Sequence, residues 1–481
     1  MDTSRSLRRR AFVAVALTIG FYTLAISIAL GLLFLVYVQI MWADDINARA
    51  IFFCLIGGLV ILWSILPRFE RFVAPGPELN EHEHPELFAM LREVALATKQ
   101  EMPREVYLIP DVNAYVSYRG SFGSTRIMGL GLTLMQTVTV PQLRAIVAHE
   151  FGHYCNDDLK FAGWIYRTRV AIEKTVQRLS SLDFYFLVLY GPFRLYGKLF
   201  VRVTQAISRA QELAADRLAA NVAGAEPMVA ALVATQRAGY VYMGYYQSEV
   251  VPVLSWGYRP PFAAGFARFL DAPPVMKFVT EQLASDLESE EADVDDTHPP
   301  LRVRAAELGV SPRDVDLSPD APRAVSLLCN LELLEVQLVT GFFNEPSRAA
   351  ALNDVSWEET GTRVFLPGWK ENAGQHADAL RDVTAARLGD ALPIIEKRVQ
   401  AESDEERTFV AAQAVGAAFA SRLHDLGWMC DAMPGKPVAF TRDGRTIEPF
   451  EVVQRLHRGD LDASAWRAEC ETAGLADVPL S

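Results

Sequence analysis

The sequence is poor in cysteine that could pair. Its five cysteines, Cys54, Cys155, Cys329, Cys430 and Cys470, lie far apart and form no C-x-x-C. That spacing argues against a disulfide framework and against a thiolate zinc site, and it fits a reducing compartment. A basic surplus is also missing. Lys and Arg number 46 against 59 Asp and Glu, a formal net charge of −13, so nucleic acid is not an expected partner. Histidine is scarce, at eight in 481 residues. That length suggests two or three domains.

Charge is absent from whole stretches near the N-terminus. Ala11 to Met41 holds no charged residue and exceeds the roughly 20 residues that span a bilayer. Ala50 to Pro67 is a second uncharged run, separated from the first by Asp44, Asp45 and Arg49. The two predict a helical hairpin through a lipid bilayer. Arg5, Arg8, Arg9 and Arg10 precede it, and Arg68 and Arg71 follow. By the positive-inside rule both ends face the cytoplasm. The expected location is the inner (cytoplasmic) membrane, multi-pass, with everything after residue 68 in the cytoplasm. A cleaved signal peptide fits less well, because the run is too long, lacks an A-x-A-like site and is followed by a second span.

The rest reads as α+β, helices alternating with a few strands. Residues 1–74 form the membrane hairpin, 75–343 a central domain and 344–481 a small α+β accessory domain of no legible role. Glu105 to Pro110 alternates like a strand. Val112 to Met128 reads as strand, turn and return strand. Pro141 opens a helix where its missing N–H costs nothing. Asp157 to Arg178 and Ile207 to Ala223 are helical. Phe184 to Phe193 is too short to span a bilayer. It is expected to lie along the membrane or against the central domain, with a re-entrant or paired helix as the alternative. The acidic run Glu281 to Asp296 reads as a solvated loop, Trp357 to Trp369 as irregular, Ala373 to Ile395 as helical, and Lys436 to Ile447 as a hairpin turning at Asp443-Gly444.

Residues 149–153 read H-E-F-G-H. On a helix His149 and His153 share a face and can bind one zinc ion. Glu150 points about 100° away, so its carboxylate can serve a water beside the metal as general base. The chemistry this predicts is zinc-dependent peptide hydrolysis. A catalytic zinc needs a third protein ligand. Glu212, in S-R-A-Q-E-L-A-A-D-R, is the best candidate, and Asp216 lies one turn on. A carboxylate there could hold the far nitrogen of a ligand histidine. Acid pairs at this spacing are also common on helix surfaces.

Taken together, H-E-F-G-H, E-L-A-A-D at Glu212 to Asp216 and T-H-P-P at Thr297 to Pro300, with Arg304 six residues past the histidine, resemble the HtpX-type heat-shock proteases. The CAAX prenyl endopeptidases share these signatures. V-N-A-Y at Val112 to Tyr115 is similar to the family's N-A-F edge-strand motif, with Tyr115 in place of phenylalanine. The resemblance covers roughly the stretch 1–310. It implies a gluzincin-type fold, one Zn2+ per chain held by His149, His153 and Glu212, and Asp216 supporting a ligand histidine. It also implies His298 near the metal to stabilise an oxyanion, Arg304 anchoring its segment through an ion pair, and a polypeptide substrate pairing with the edge strand at Asn113 and Ala114. The expected function is a zinc-dependent endopeptidase acting on membrane or misfolded proteins at the cytoplasmic face.

Three other readings fit the sequence less well. A di-iron bundle would use E-x-x-H at Glu81 to His84, but Pro85 places that motif in a linker and His149 would have no role. An intramembrane protease would bury its motif in an apolar span, whereas here Arg144 precedes and Asp157, Asp158 and Lys160 follow. A catalytically silent zinc-containing membrane scaffold would not need Glu150. The oligomeric state is not legible.

Overall fold

A computed structural model describes the chain except for residues 1, 44–46, 67–71, 120–124, 154–157, 181–186, 290–298, 318–319, 344–346, 349–350 and 400–402. The fold is mostly helical with small sheets, α+β overall. Two N-terminal helices, α1 (Asp2–Met41) and α2 (Ala48–Ile65), are long and apolar enough to cross a membrane, over Phe12–Met41 and Ala48–Ile65. The Asn47 side chain caps α2 by accepting from the Ala50 N–H.

A four-stranded sheet follows, made of β1 (Glu78–Leu79), β2 (Glu105–Ile109), β3 (Ala114–Arg119) and β4 (Thr125–Gly131), in the order β1-β2-β4-β3. β2 and β4 are parallel, and β3 and β4 antiparallel. β3 therefore lies at an edge. The strands are joined by α3 (Pro85–Thr98) and followed by α4 (Leu132–Thr137) and α5 (Val140–Gly152). α5 starts in a capping box. The Thr139 hydroxyl and the Gln142 side chain satisfy each other's backbone N–H groups, with Pro141 in the first turn. Its buried residues, from Leu143 to Phe151, face the main core with β2, β4 and α3.

Three long helices complete the frame: α6 (Asp158–Ser180), α7 (Leu187–Ala223) and α8 (Ala225–Tyr245). The described part of the short apolar run, from Leu187, is the beginning of α7 and not a separate surface segment. Phe193 and Phe200 of α7, with Ala171, Ile172 and Leu179 of α6, share a core with Phe21, Ala25, Ala29 and Leu32 of α1 and Ile61 of α2. The described part of the run thus packs against the N-terminal helices and α6.

Other expectations also shift. Glu281 to Glu288 is not loop but the end of a helix, Pro273–Glu288, because Leu283 and Leu287 pack beside Leu301 and Ala305. Trp357 to Gln375 is helical, with a π turn at Gly361–Phe365. Val355, Trp357 and Val364, beyond the expected border at 344, belong to the first core. There the Trp357 indole N–H donates to the Pro261 carbonyl at 2.9 Å. The second core begins at Ala379 and includes Phe419, Phe440 and Trp466. Helix breaks off between Gln375 and Ala385, where Asp382 adopts a left-handed φ of 65°. The hairpin at Asp443-Gly444 is present, with φ of 51° and 78° at the two turn residues. Positive φ at both is what a two-residue type I′ turn requires.

Candidate metal centre

α5 and α7 cross where both are thin. A Cβ placed on Gly152 would stand 3.0 Å from the Cα and Cβ of Ala215, so the glycine lets the two helices approach. The approach brings Glu212, three residues before Ala215, across from His149. It also brings Asp216 beneath the same ring.

The three candidate ligands meet. His149 Nε2 and His153 Nε2 are 3.2 Å apart. Glu212 Oε2 lies 3.5 Å from His149 Nε2, and Glu212 Oε1 lies 3.5 Å from His153 Nε2. Zinc holds such atoms at about 2.0–2.2 Å, and a tetrahedron of that size has edges of roughly 3.3–3.6 Å. The two glutamate separations run to different oxygens, and with one ligand atom taken from each residue all three lie within 4.8 Å of one another, so the donor set suits a single small cation drawn in between them. His149 and Glu212 are buried and His153 is half-buried. Glu150 is half-buried beside them.

The far side of His149 is anchored. Its Nδ1 lies 2.9 Å from Asp216 Oδ1, which leaves Nε2 to face the ligand cluster. Asp216 is fully buried and accepts two more hydrogen bonds from Arg304, Nη2 to Oδ1 at 2.6 Å and Nε to Oδ2 at 2.8 Å. Arg304 Nη2 is also 3.7 Å from Glu212 Oε2. Arg304 comes from the helix Leu301–Glu307, which starts at Pro300.

The charges are coupled. Burial alone would lower the pKa of His149, yet the carboxylates of Asp216, Glu212 and Glu150 overbalance it to about 9. Burial would raise the pKa of Asp216, but Arg304 and His149 hold it below the usual range. The pocket therefore favours positive charge at the imidazole face, as a cation site requires.

Asn113 and Ala114 lie where the edge strand begins. The Asn113 carbonyl accepts from the Gly131 N–H at 2.8 Å, and Ala114 is the first residue of β3, which packs against α5. Among the described residues no strand pairs with the outer side of β3. His298 lies outside the described residues. Spacing alone did not reveal the Gly152–Ala215 contact, although small residues in both H-E-F-G-H and E-L-A-A-D were its visible trace. The aromatic tract at Tyr240 to Tyr246 is in part core. Tyr245 is buried against Phe262, Phe266 and Trp357, and its hydroxyl donates to the Phe262 carbonyl.

Comparison with known proteins agrees with this geometry. Residues 81–310 match Peptidase family M48. The chain is 29% identical to Protease HtpX of Glaesserella parasuis over 148 residues, 27% of this chain and 52% of that protein. It is 28% identical to Protease HtpX of Haemophilus influenzae (strain PittEE) over 143 residues, 26% and 50% of the two chains. Against Protease HtpX of Idiomarina loihiensis it is 25% identical over 195 residues, 37% and 66% of the two. The chain thus spans about half to two thirds of the length of these relatives. No solved structure matches it. All the candidate metal-site residues described above fall inside the matched stretch, and that stretch is similar to the HtpX-like peptidases of family M48.

Proposed function

We propose that the chain is a membrane-anchored zinc-dependent endopeptidase that cuts polypeptides at the cytoplasmic face of the inner membrane. The observation that carries this reading is the convergence of His149, His153 and Glu212, whose ligand atoms lie within 4.8 Å of one another, beside a carboxylate, Glu150, that is not part of the group. Bound zinc would supply Lewis acidity, polarising the scissile carbonyl and making water nucleophilic near neutral pH.

The protein's own groups do the rest. Glu150 takes the proton of the attacking water and delivers it to the leaving amine. Asp216, itself fixed by Arg304, holds His149 in the tautomer that presents Nε2. An extended substrate adds to the open edge of β3 near Asn113 and Ala114, so backbone hydrogen bonds position the scissile bond with little demand on sequence. Such tolerance suits misfolded or damaged membrane proteins as substrates. α1 and α2 span the bilayer as a hairpin, and the flanking arginines keep the peptidase unit in the cytoplasm.

The test compares wild type with Glu150→Gln, as full-length protein in detergent, on casein. The carboxamide cannot take a proton, so activity should fall by about 10²–10⁴-fold while the zinc content stays at one per chain. Equal cleavage by the two proteins would remove the peptidase reading.

A further inference from the structure

α7 presents a face that neither the peptidase unit nor the hairpin covers. Its Phe193, Tyr196 and Phe200 turn inward. The rings of Phe193 and Phe21 are 6.3 Å apart, and the Tyr196 hydroxyl donates to the Leu17 carbonyl at 2.5 Å. On the outer side Arg194, Lys198 and Arg202 recur every fourth residue and are exposed. Beside them Leu195 is 72% exposed and Leu199 48%. The chain carries a net charge of −13, yet no carboxylate among the described residues pairs with any of these three cations. A basic stripe without carboxylate partners is the charge pattern that anionic lipid headgroups complement.

The contacts to the hairpin give its depth. α2 is 18 residues long, about 27 Å, close to the ~30 Å hydrocarbon core. Counted back from Met41, the same thickness on α1 ends about 20 residues earlier, near Phe21. Phe193 is level with Phe21, and Tyr196 with Leu17. Arg178 of α6 marks the same level on α2, donating to the Ser64 hydroxyl at 3.2 Å. From Arg194 to Arg202, α7 therefore runs from the hydrocarbon boundary outward for about 12 Å, through the headgroup layer.

We infer that this face binds the anionic headgroups of cytoplasmic-leaflet phospholipids. Arg194 and Arg202 would engage phosphate through their guanidinium forks, Lys198 as a point charge, and Leu195, beside the boundary, would reach the acyl chains. The inference rests on the reading that α1 and α2 span a bilayer.

The full chain, reconstituted in phosphatidylcholine vesicles, is probed with trace spin-labelled phosphatidylglycerol or phosphatidylcholine. Electron paramagnetic resonance separates lipid immobilised at the protein from bulk lipid. Each basic residue near an anionic headgroup favours it by up to about fivefold. Wild type should hold the phosphatidylglycerol probe preferentially, and the preference should shrink in high salt. R194Q/K198Q/R202Q should lose most of it, and R194K/R202K should keep it. Alkaline carbonate extraction separates the two readings. A wild type released by carbonate would overturn the spanning hairpin and this inference with it. A carbonate-resistant wild type whose lipid preference survives the triple substitution would overturn this inference alone.

Discussion

Asp216→Asn tests how the site is held. Asp216 is fully buried and accepts from Arg304 at 2.6 and 2.8 Å and from His149 Nδ1 at 2.9 Å. Asparagine has the same shape but only one acceptor oxygen. Whichever way the amide turns, its NH2 group faces a donor, Arg304 alone or Arg304 and His149 together. The Arg304 side chain, 12% exposed, then keeps its charge and loses its hydrogen-bonded carboxylate, with only Glu212 left at 3.7 Å. Removing one member of a buried pair costs about 3–5 kcal/mol. At about 2–4 °C per kcal/mol for a unit of this size, the melting temperature should drop by roughly 6–20 °C. Zinc affinity should fall by about 10–100-fold, because Arg304 now competes with His149 for the single, uncharged acceptor oxygen. The double variant D216N/R304M separates the effects. It removes the stranded charge, so stability should largely return, and the amide oxygen is left to His149 Nδ1, so zinc affinity should recover in part but stay below wild type because the acceptor has lost its charge. Melts are run on the full chain in detergent with chelator, and zinc affinity by competition with a fluorescent chelator. A single variant that melts within about 2 °C of wild type and keeps its zinc affinity would refute the role given to Asp216.

The helix crossing gives a second test. Gly152→Ala sets a methyl group 3.0 Å from Ala215, an overpacking expected to cost about 1–3 kcal/mol and to lower the zinc content. G152A/A215G removes one of the two 3.0 Å contacts and leaves that to the Cα, so it should restore both in part, and no rescue at all would count against the close approach. Edge pairing predicts that N-methylating alternate amides of a cleaved peptide lowers kcat/KM about tenfold per lost hydrogen bond in one register, with little effect in the other. Equal effects in both registers would exclude a strand-like pose. Glu249 gives a pH prediction. Burial raises its carboxyl pKa, only partly offset by the Gly435 N–H at 3.1 Å. The native state thus keeps this proton to higher pH than the unfolded chain, whose value is about 4.3. The contribution of Glu249 to stability falls as pH rises through that window. Glu249→Gln keeps the acceptor and removes the titration, so its melting temperature should fall less than that of wild type between about pH 4 and 7.5. An unchanged pH profile would refute the assignment.

What the sequence made legible was local. His149, Glu150 and His153 follow from helical periodicity alone, and Glu212 with Asp216 is visible as an i, i+4 pair. That the two pairs face one another was open on spacing alone, where Glu212 was the best of the candidates, and was supported by the resemblance, because it depends on how closely α5 and α7 pack. The misreadings have the same origin. Leu283 and Leu287 form an apolar stripe, but the acids around them read as solvent. Gly361 and Pro367 read as irregular chain, whereas a π turn and the buried Trp357 carry the helix through. Phe184 to Phe193 and Ile207 to Ala223 read as separate segments, yet from Leu187 onward both belong to α7, with Pro192 inside the helix. Burial of Phe193 and Phe200 against the hairpin outweighs one missing backbone hydrogen bond. That continuity has a mechanical result. Tyr196, bonded to α1, and Glu212, in the candidate metal group, stand sixteen residues apart on one helix, about 24 Å along its axis. A displacement of the hairpin is therefore carried by a rigid element to a group whose separations from the two histidines must hold to a few tenths of an ångström for the site to take zinc.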